Sequence, residues 1–210
     1  MYSRYIKRFL DIVICIVALP FFVILYIIFG LLIKIEDGGP VIYKSERIGR
    51  DYKPFMMYKF RSMSVNAPNL LNLDGSTYNA KNDPRQTKVG RFIRVTSIDE
   101  TAQILNVLKG DMSIIGPRAS LYSALKNYKE DEMDKMKVRP GITGFTQAYY
   151  RNYLSVREKR LKDAWYANNV SFWLDVNIFF KTILTVLKRD NIYTNDSIDH
   201  LKKEHESVKV

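Results

Sequence analysis

The chain is organised around one short stretch, Arg91-Phe92-Ile93-Arg94-Val95-Thr96-Ser97-Ile98-Asp99-Glu100. Ser97 followed three residues later by Glu100 is the pattern of a capping box, so a helix is predicted to begin here and to end at Lys109-Gly110. The start of a helix attracts anions through its unpaired N–H groups. The two carboxylates at this position, Asp99 and Glu100, therefore either cap the helix, or take part in chemistry on an anionic substrate or hold a metal. The spacing alone leaves both interpretations open.

Composition and charge limit the partners of this chain. It has 210 residues, enough for one domain with a sizeable core, and a formal net charge of +11. Nucleic acid, acidic lipid headgroups and nucleotide substrates all suit such a charge. The single cysteine, Cys15, excludes an internal disulfide. His200 and His205 both fall in a polar terminal stretch, so zinc or histidine-based catalysis is not expected.

An uncharged segment, residues 12–33, follows Arg4, Lys7 and Arg8 near the N-terminus. As a helix it would be about 33 Å long, enough to span a bilayer. Pro20 lies inside it, and a proline in a helix interior kinks or breaks the helix. Two geometries follow: a kinked helix that crosses the bilayer, or a bent helix that dips in and returns to the same face. Charge bias is a weak guide for large domains, so the residues leave this open.

Two β-prone runs follow the apolar segment. Val41-Ile42-Tyr43 and Phe55-Met56-Met57-Tyr58-Lys59-Phe60-Arg61-Ser62-Met63 are predicted to pair as a hairpin, with residues 47–50 in a basic loop. Lys59 and Arg61 interrupt the second run and are either solvated or available to bind an anion. Residues 66–82 are polar and rich in Asn, Asp, Gly and Ser, which predicts a loop over the site.

The segment after the central helix carries two further candidate cations. Gly116-Pro117 predicts a turn that presents Arg118 at a fixed position. Residues 121–137 predict a charged, solvent-facing helix. Residues 138–144 predict a glycine-punctuated loop that contains Arg139. Its backbone amides could bind phosphate, although it lacks the Lys-Ser/Thr ending of a P-loop.

The last third of the chain contains a second apolar helix, predicted at residues 171–189. Its aromatic residues at one end and cations at the other suit a helix in the headgroup layer, but a core helix of the domain is an equal alternative. Residues 190–210 predict a polar tail. The predicted fold class is α+β: a mostly helical domain with a small β-hairpin at residues 37–189, preceded by a membrane helix at residues 1–36.

Several motifs together resemble those of the bacterial sugar transferase family, the small phosphoglycosyltransferases that act on polyprenyl phosphate. The resemblance covers most of the chain, from Lys7 to about Arg189. The matching motifs are Lys7-Arg8-x-x-Asp11, Lys59-Phe60-Arg61-Ser62-Met63, Asp83-Pro84-Arg85, Thr96-Ser97-Ile98-Asp99-Glu100, Asn106-Val107-Leu108-Lys109-Gly110-Asp111-Met112-Ser113, Gly116-Pro117-Arg118, Val138-Arg139-Pro140-Gly141-Ile142-Thr143-Gly144 and Ser171-Phe172-Trp173-Leu174-Asp175.

This resemblance implies a reaction with one water-borne and one lipid-borne substrate. Asp99 would attack the β-phosphate of a UDP-sugar, release UMP and pass the sugar phosphate to undecaprenyl phosphate. Mg²⁺ would bind at Asp99, and Glu100 would assist by handling the metal or a proton. The candidate substrate-binding residues are Arg94, Arg118, Lys59, Arg61 and Arg139.

The resemblance also implies where the protein lies. The N-terminal helix would be re-entrant, in contact with phospholipid, with both ends on the cytoplasmic face of the inner membrane, and the length matches the minimal form of the family. No nucleic acid partner is expected. Tyr149-Tyr150-Arg151 stands where Asn-Gly-Arg is typical, so the sugar is not assigned. The alternatives are a membrane-bound glycosyltransferase that releases UDP, and a non-enzymatic, basic, membrane-anchored binding module.

Overall fold

Helices dominate the computed structural model, which describes residues 2–68, 70, 78, 82–151 and 153–188. A short π-helix at Tyr2–Ile6 leads into the first α-helix, and short 3₁₀ helices connect several later elements. The α-helices are α1 (Lys7–Asp37), α2 (Lys88–Val95), α3 (Ile104–Lys109), α4 (Phe145–Tyr149), α5 (Val156–Asn168) and α6 (Phe172–Lys188). The strands are β1 (Ile42–Ile48), β2 (Pro54–Phe60), β3 (Ser113–Ile115) and β4 (Gly141–Thr143).

The first helix, α1, confirms the long apolar segment of the sequence. It runs without interruption through Pro20 and ends at Gly38, whose φ of 72° closes the helix in the left-handed conformation. Among the described residues it is the one helix long and apolar enough to cross a membrane. Only 17% of its most apolar window is buried in the domain, so most of its apolar surface faces outward.

The N-terminal end of α1 is bonded to the domain. The Lys7 ammonium lies 2.6 Å from the Asp175 carboxylate of α6. The Arg8 guanidinium donates to the carbonyl of Val107 at 2.6 Å, at the end of α3. The buried Asp11 carboxylate accepts hydrogen bonds from β3, through the Ser113 hydroxyl and the following backbone N–H.

The C-terminal end of α1 is bonded to the same domain. Glu36 accepts the backbone N–H of Lys88 at 2.7 Å, at the start of α2, and Asp37 pairs with Arg61 just after β2. A helix that crossed the bilayer would carry its two ends to opposite faces. Because charged groups of one domain hold both ends of α1, the structure favours a helix that lies along the domain and exposes its other face.

The predicted hairpin is confirmed. Strands β1 and β2 are antiparallel, with Ile42 opposite Phe60 and Ile48 opposite Pro54. Strand β1 is longer than predicted, because Arg47 and Ile48 continue it where a loop was expected. A second, parallel sheet joins β3 to β4, so the loop predicted for residues 138–144 is wrong over Gly141–Thr143.

A single buried side chain joins the hairpin to α3. The Asn106 amide accepts the backbone N–H of Tyr58 at 2.9 Å and donates to the carbonyl of Met56 at 2.7 Å. Asn106 is fully buried, and the apolar residues around it form one core with the inner face of α1. The site described below rests on this block of α1, β2 and α3.

The predicted solvent-facing helix over residues 121–137 is wrong. Two 3₁₀ helices occupy this region, Tyr122–Asn127 and Glu130–Lys137. Glu132 is 2% exposed and Lys135 is 6% exposed, because α5 supplies opposite charges to both. The sequence suggested that these side chains are solvated because their oppositely charged partners in α5 are distant in the sequence.

The last described helix, α6, confirms the helix predicted at residues 171–189, as far as Lys188. Asp175 and Ile178 are buried against the domain. The outward face is apolar, and its exposed side chains are Phe172, Trp173, Phe179, Phe180, Ile183, Leu184, Val186 and Leu187. The polar tail predicted at residues 190–210, and most of the loop predicted at 66–82, lie outside the described residues.

Candidate active site

The two adjacent carboxylates lie on a 3₁₀ helix, Ile98–Gln103, between α2 and α3. The predicted capping box at its start is wrong: Ser97 has a φ of 57° and its side chain makes no capping hydrogen bond. The Glu100 carboxylate instead accepts from Lys59 Nζ at 2.6 Å and from Arg118 Nη2 at 3.3 Å. Two cations therefore hold Glu100, and they stabilise a carboxylate more than a backbone N–H does. The predicted end of the helical segment at Gly110 is confirmed.

Asp99 is 8% exposed and lies beside the same cations. Its Oδ2 atom is 3.9 Å from Lys59 Nζ, which is too long for a hydrogen bond. Within the described parts of the chain, neither oxygen of this carboxylate has a hydrogen-bond partner. A carboxylate this buried normally has such partners, so Asp99 is a group that a ligand can engage.

The surroundings move the pKa values of the two carboxylates in opposite directions. Burial raises the pKa of Asp99, and the nearby Glu100 charge adds to this, while Lys59, Arg94 and Arg118 act against it. Burial also acts to raise the pKa of Glu100, but Lys59 and Arg118 together overcome it and bring the pKa to about 2. Glu100 is thus the ionised partner of the cations, and Asp99 is the carboxylate whose proton is retained to higher pH. Neighbouring carboxylates whose pKa values are shifted apart can take different roles in catalysis.

Arg94 is the third cation of the site, on the last turn of α2. Its charge is close enough to lower the pKa of both Asp99 and Asp83. The Nη1 atom of Arg94 is buried and has no hydrogen-bond partner among the described residues. This guanidinium nitrogen lacks an acceptor, which an oxygen of an anionic ligand would supply, whereas the ionised Asp99 carboxylate needs a donor or a cation.

Arg47 is a fourth cation that the sequence analysis missed. It lies on β1, and its guanidinium donates to the Ser45 hydroxyl at 3.1 Å and to the carbonyl of Ala119 at 3.4 Å. Burial and the nearby Arg118 charge lower its pKa to about 10, and the Glu100 charge acts in the opposite direction. The alternating pattern up to Ile48 could have extended β1 and placed Arg47 in the sheet.

The remaining two candidate cations lie elsewhere. Arg61 pairs with Asp37 at the end of α1. Arg139 donates through Nε to the carbonyl of Gly110 at 2.8 Å, beyond the far end of α3. The structure therefore brings Lys59, Arg94 and Arg118 around the two carboxylates, and gives Arg61 and Arg139 other surroundings.

A metal ion would find few protein ligands here. Across residues 2–68, 70, 78, 82–151 and 153–188, no group of three or more His, Cys, Asp or Glu side chains could hold one. Mg²⁺ commonly binds through one or two carboxylates together with substrate phosphates and water. The unbonded oxygens of Asp99 fit that mode, in which the substrate completes the coordination.

Among the described residues, a buried carboxylate without a hydrogen bond lies near several cations, in a domain that exposes two apolar helices. The cations suit an anionic ligand, and the exposed helices suit a membrane surface. The chain belongs to the bacterial sugar transferase family, whose sequence pattern matches residues 2–189. The resemblance stated from the motifs is confirmed.

Curated relatives cover most of this chain. It is 42% identical over 207 residues to the undecaprenyl-phosphate galactose phosphotransferase of Salmonella typhimurium, spanning 91% of this chain and 42% of that protein. It is 40% identical over 189 residues to the UDP-N-acetylgalactosamine-undecaprenyl-phosphate N-acetylgalactosaminephosphotransferase of Aeromonas hydrophila, spanning 87% and 44%. It is 40% identical over 166 residues to the uncharacterized sugar transferase EpsL of Bacillus subtilis, spanning 79% of each. The chain thus spans less than half the length of the first two relatives.

Proposed function

We propose that this protein transfers a sugar-1-phosphate from a UDP-sugar to undecaprenyl phosphate, through a covalent intermediate on Asp99. The observation that carries the proposal is the Asp99 carboxylate itself, which is buried, free of hydrogen bonds within the described residues and 3.9 Å from Lys59. The names of the relatives support the class of reaction, since two of them are called undecaprenyl-phosphate phosphotransferases of a sugar.

In the first step, an oxygen of the ionised Asp99 carboxylate forms a bond to the sugar-bearing phosphorus of the donor. The bond from that phosphorus to the bridging oxygen breaks, and UMP leaves with the electron pair. In the second step, a phosphate oxygen of undecaprenyl phosphate attacks the same phosphorus, and Asp99 is released as a carboxylate. Covalent catalysis divides one displacement in two, so the two substrates need not be bound together.

The cations of the site reduce the repulsion between the Asp99 carboxylate and the donor phosphate. A carboxylate and a phosphate charge 4 Å apart repel by about 4 kcal/mol at an effective dielectric constant near 20. Lys59 offsets this at Asp99, and the charge of Arg94, whose buried Nη1 has no acceptor among the described residues, adds to it. Arg118 is 55% exposed in its side chain, so it can move from Glu100 to an incoming phosphate.

Glu100 has a positioning role in this scheme. It holds Lys59 at 2.6 Å, and Lys59 in turn lies next to Asp99. Asp99 would hold Mg²⁺ with the donor phosphates, and the ion would neutralise charge on those phosphates. The assistance expected from Glu100 is therefore exerted through its cations.

The exposed apolar helices support a membrane location for the reaction. The outward faces of α1 and α6 suit contact with phospholipid, and α6 suits an interfacial position. Both ends of α1 are bonded to the same domain, which supports a helix whose two ends stay on one face of the bilayer over one that crosses. With both ends on the cytoplasmic face of the inner membrane, Asp99 would be accessible to nucleotide sugars and to the lipid acceptor.

The proposal is tested by product release in the absence of the lipid acceptor. Full-length protein in neutral detergent is mixed with a panel of UDP-sugars and Mg²⁺, and nucleotide products are quantified after rapid quenching. We expect about one equivalent of UMP per enzyme from the correct donor, and a mass increase of the intact protein equal to one sugar phosphate. Asp99→Asn should give neither, whereas the control Asp134→Asn, on the surface, should give both.

Other outcomes would decide between the alternatives. Strict dependence of UMP release on undecaprenyl phosphate would argue against the covalent step. UDP as the product would indicate a glycosyltransferase that moves only the sugar. Absence of turnover with every donor, together with salt-sensitive binding to DNA, would favour the basic binding module.

A further inference from the structure

A cavity of about 260 Å³ lies at the turn between β1 and β2, away from the two carboxylates. Three cationic side chains line it: Arg50 and Lys53 from the turn, and Arg139 from the segment before β4. Phe55 and Gly110 also line the cavity. Its volume is sufficient for a small polar group with part of an attached chain.

The positive charges of this cavity are only partly balanced. Two carboxylates also line it, so three cations face two anions: Asp51 is paired with Arg50 at 3.1 Å, and Asp111 keeps its charge while it accepts from the neutral Asn106 amide at 3.3 Å. Arg139 uses its Nε atom to bind the carbonyl of Gly110, and no hydrogen bond from its two terminal nitrogens is present among the residues that the structure describes. Burial, followed by the charges of Arg50 and Arg8, lowers the pKa of Arg139. These cations are thus close enough to repel one another, and an anion among them would relieve the repulsion.

The position of the cavity relates it to the exposed face of α1. A side chain at Gly110 would meet the Arg8 guanidinium at 3.6 Å, so the cavity wall adjoins the first turn of α1. From Phe9 onward α1 exposes apolar side chains, including Val13 and Val17. A bilayer that covers these residues has its headgroups near Arg8, because a cation at the edge of an apolar helix face lies at the membrane surface.

We propose that this cavity binds the phosphate group of an anionic membrane phospholipid. A guanidinium can bind a phosphate through two nitrogens, and Arg139 has both terminal nitrogens available for this. Arg50 and Lys53 lie at the rim and add charge, while Phe55 provides an apolar surface for the glycerol end of an acyl chain. The inference rests on α1 lying in the bilayer, and it is independent of phosphoryl transfer at Asp99.

The test measures thermal unfolding of the full chain in neutral detergent with soluble, short-chain lipids. Dioctanoyl phosphatidylglycerol, dioctanoyl phosphatidylcholine and inorganic phosphate are added separately at equal concentration. At a tenfold excess over its Kd, the phosphatidylglycerol is expected to raise Tm by about 3–6 °C, whereas the other two leave it unchanged. The double variant Arg50→Gln/Lys53→Gln should lose this rise and keep the Tm of the unliganded protein, because both side chains are exposed.

A matched control removes the same charge from other exposed positions. Lys44→Gln/Lys126→Gln should retain the full response to phosphatidylglycerol, since neither side chain lines the cavity. Equal shifts with phosphatidylglycerol and phosphatidylcholine, or a full shift in the Arg50/Lys53 variant, would overturn the proposal. A shift with inorganic phosphate that disappears in the same variant would assign the cavity to a free phosphate and overturn the lipid as its source.

Discussion

The opposite pKa shifts of the two carboxylates predict opposite effects of two substitutions on the pH dependence of the first step. Asp99 must be ionised to attack, and its pKa is raised, so the rate is lost as pH falls through a value above the ordinary aspartate range. Lys59 lowers this pKa and Glu100 raises it. Lys59→Met should therefore move the acid limb to higher pH, and Glu100→Gln should move it to lower pH.

The size of the Lys59 effect follows from its distance to Asp99. At 3.9 Å, two unit charges interact by about 1 kcal/mol in water and about 4 kcal/mol at an effective dielectric constant near 20. One pH unit corresponds to about 1.4 kcal/mol, so the acid limb of Lys59→Met should move up by roughly 1 to 3 units. Removing Lys59 also leaves the Glu100 charge less compensated, which acts in the same direction.

The assay follows the rate of UMP release in a single turnover without acceptor, because the lipid phosphate would otherwise titrate in the same range. At subsaturating donor the profile reports the free enzyme. The control is Lys44→Met, which removes a lysine from the neighbouring strand at an exposed position and should leave the acid limb unchanged. A limb that moves to lower pH in Lys59→Met, or in the same direction in both variants, would refute the assignment of Asp99 as the ionising nucleophile.

Three further predictions concern the metal, the buried charges and the turn before the site. Removal of Mg²⁺ with EDTA should stop turnover and its return should restore it, and full activity in EDTA would exclude the metal. Lys135→Met should lower the free energy of unfolding by about 3–5 kcal/mol, because it leaves the buried carboxylate of Asp163 without its cation. Lys137→Met breaks an exposed pair and should lower it by less than about 1 kcal/mol in the same denaturant titration. The free energy of unfolding of Ser97→Ala should lie within about 0.5 kcal/mol of that of the parent, because the Ser97 side chain makes no capping bond. Ser97→Gly should be more stable than Ser97→Ala, since the strain lies in the positive φ. A loss of about 1 kcal/mol or more in Ser97→Ala would show that the side chain caps the helix after all.

The features that the sequence predicted correctly depend on local signals. The apolar run predicted α1, two β-prone runs predicted the hairpin, and a lysine followed by glycine predicted the end of α3 at Gly110. In each case the residues that determine the structure lie within a few positions of the feature itself.

The features that it missed depend on distant partners. Glu100 fits a capping pattern, but Lys59 of β2 and Arg118 bind its carboxylate, so tertiary contacts override the local motif. Lys135 looked solvated, yet Asp163 of α5 neutralises it in the interior. Arg47 lies near the site because β1 extends to Ile48, into the segment where the sequence predicted a loop.

The contact between α1 and β2 bears on the proposal that one carboxylate acts on a soluble donor and a lipid acceptor. Phe60 of β2 packs against Phe22 of α1, with ring centroids 6.1 Å apart, and it is 1% exposed. Successive residues of a strand face opposite sides, so Lys59 faces away from α1 toward Glu100 and Asp99. The carboxylate therefore lies on the side of β2 opposite to the contact between Phe60 and Phe22. Because both ends of α1 are bonded to the domain, the carboxylate keeps a constant position relative to the helix along which, in the proposed reaction, the lipid acceptor would approach.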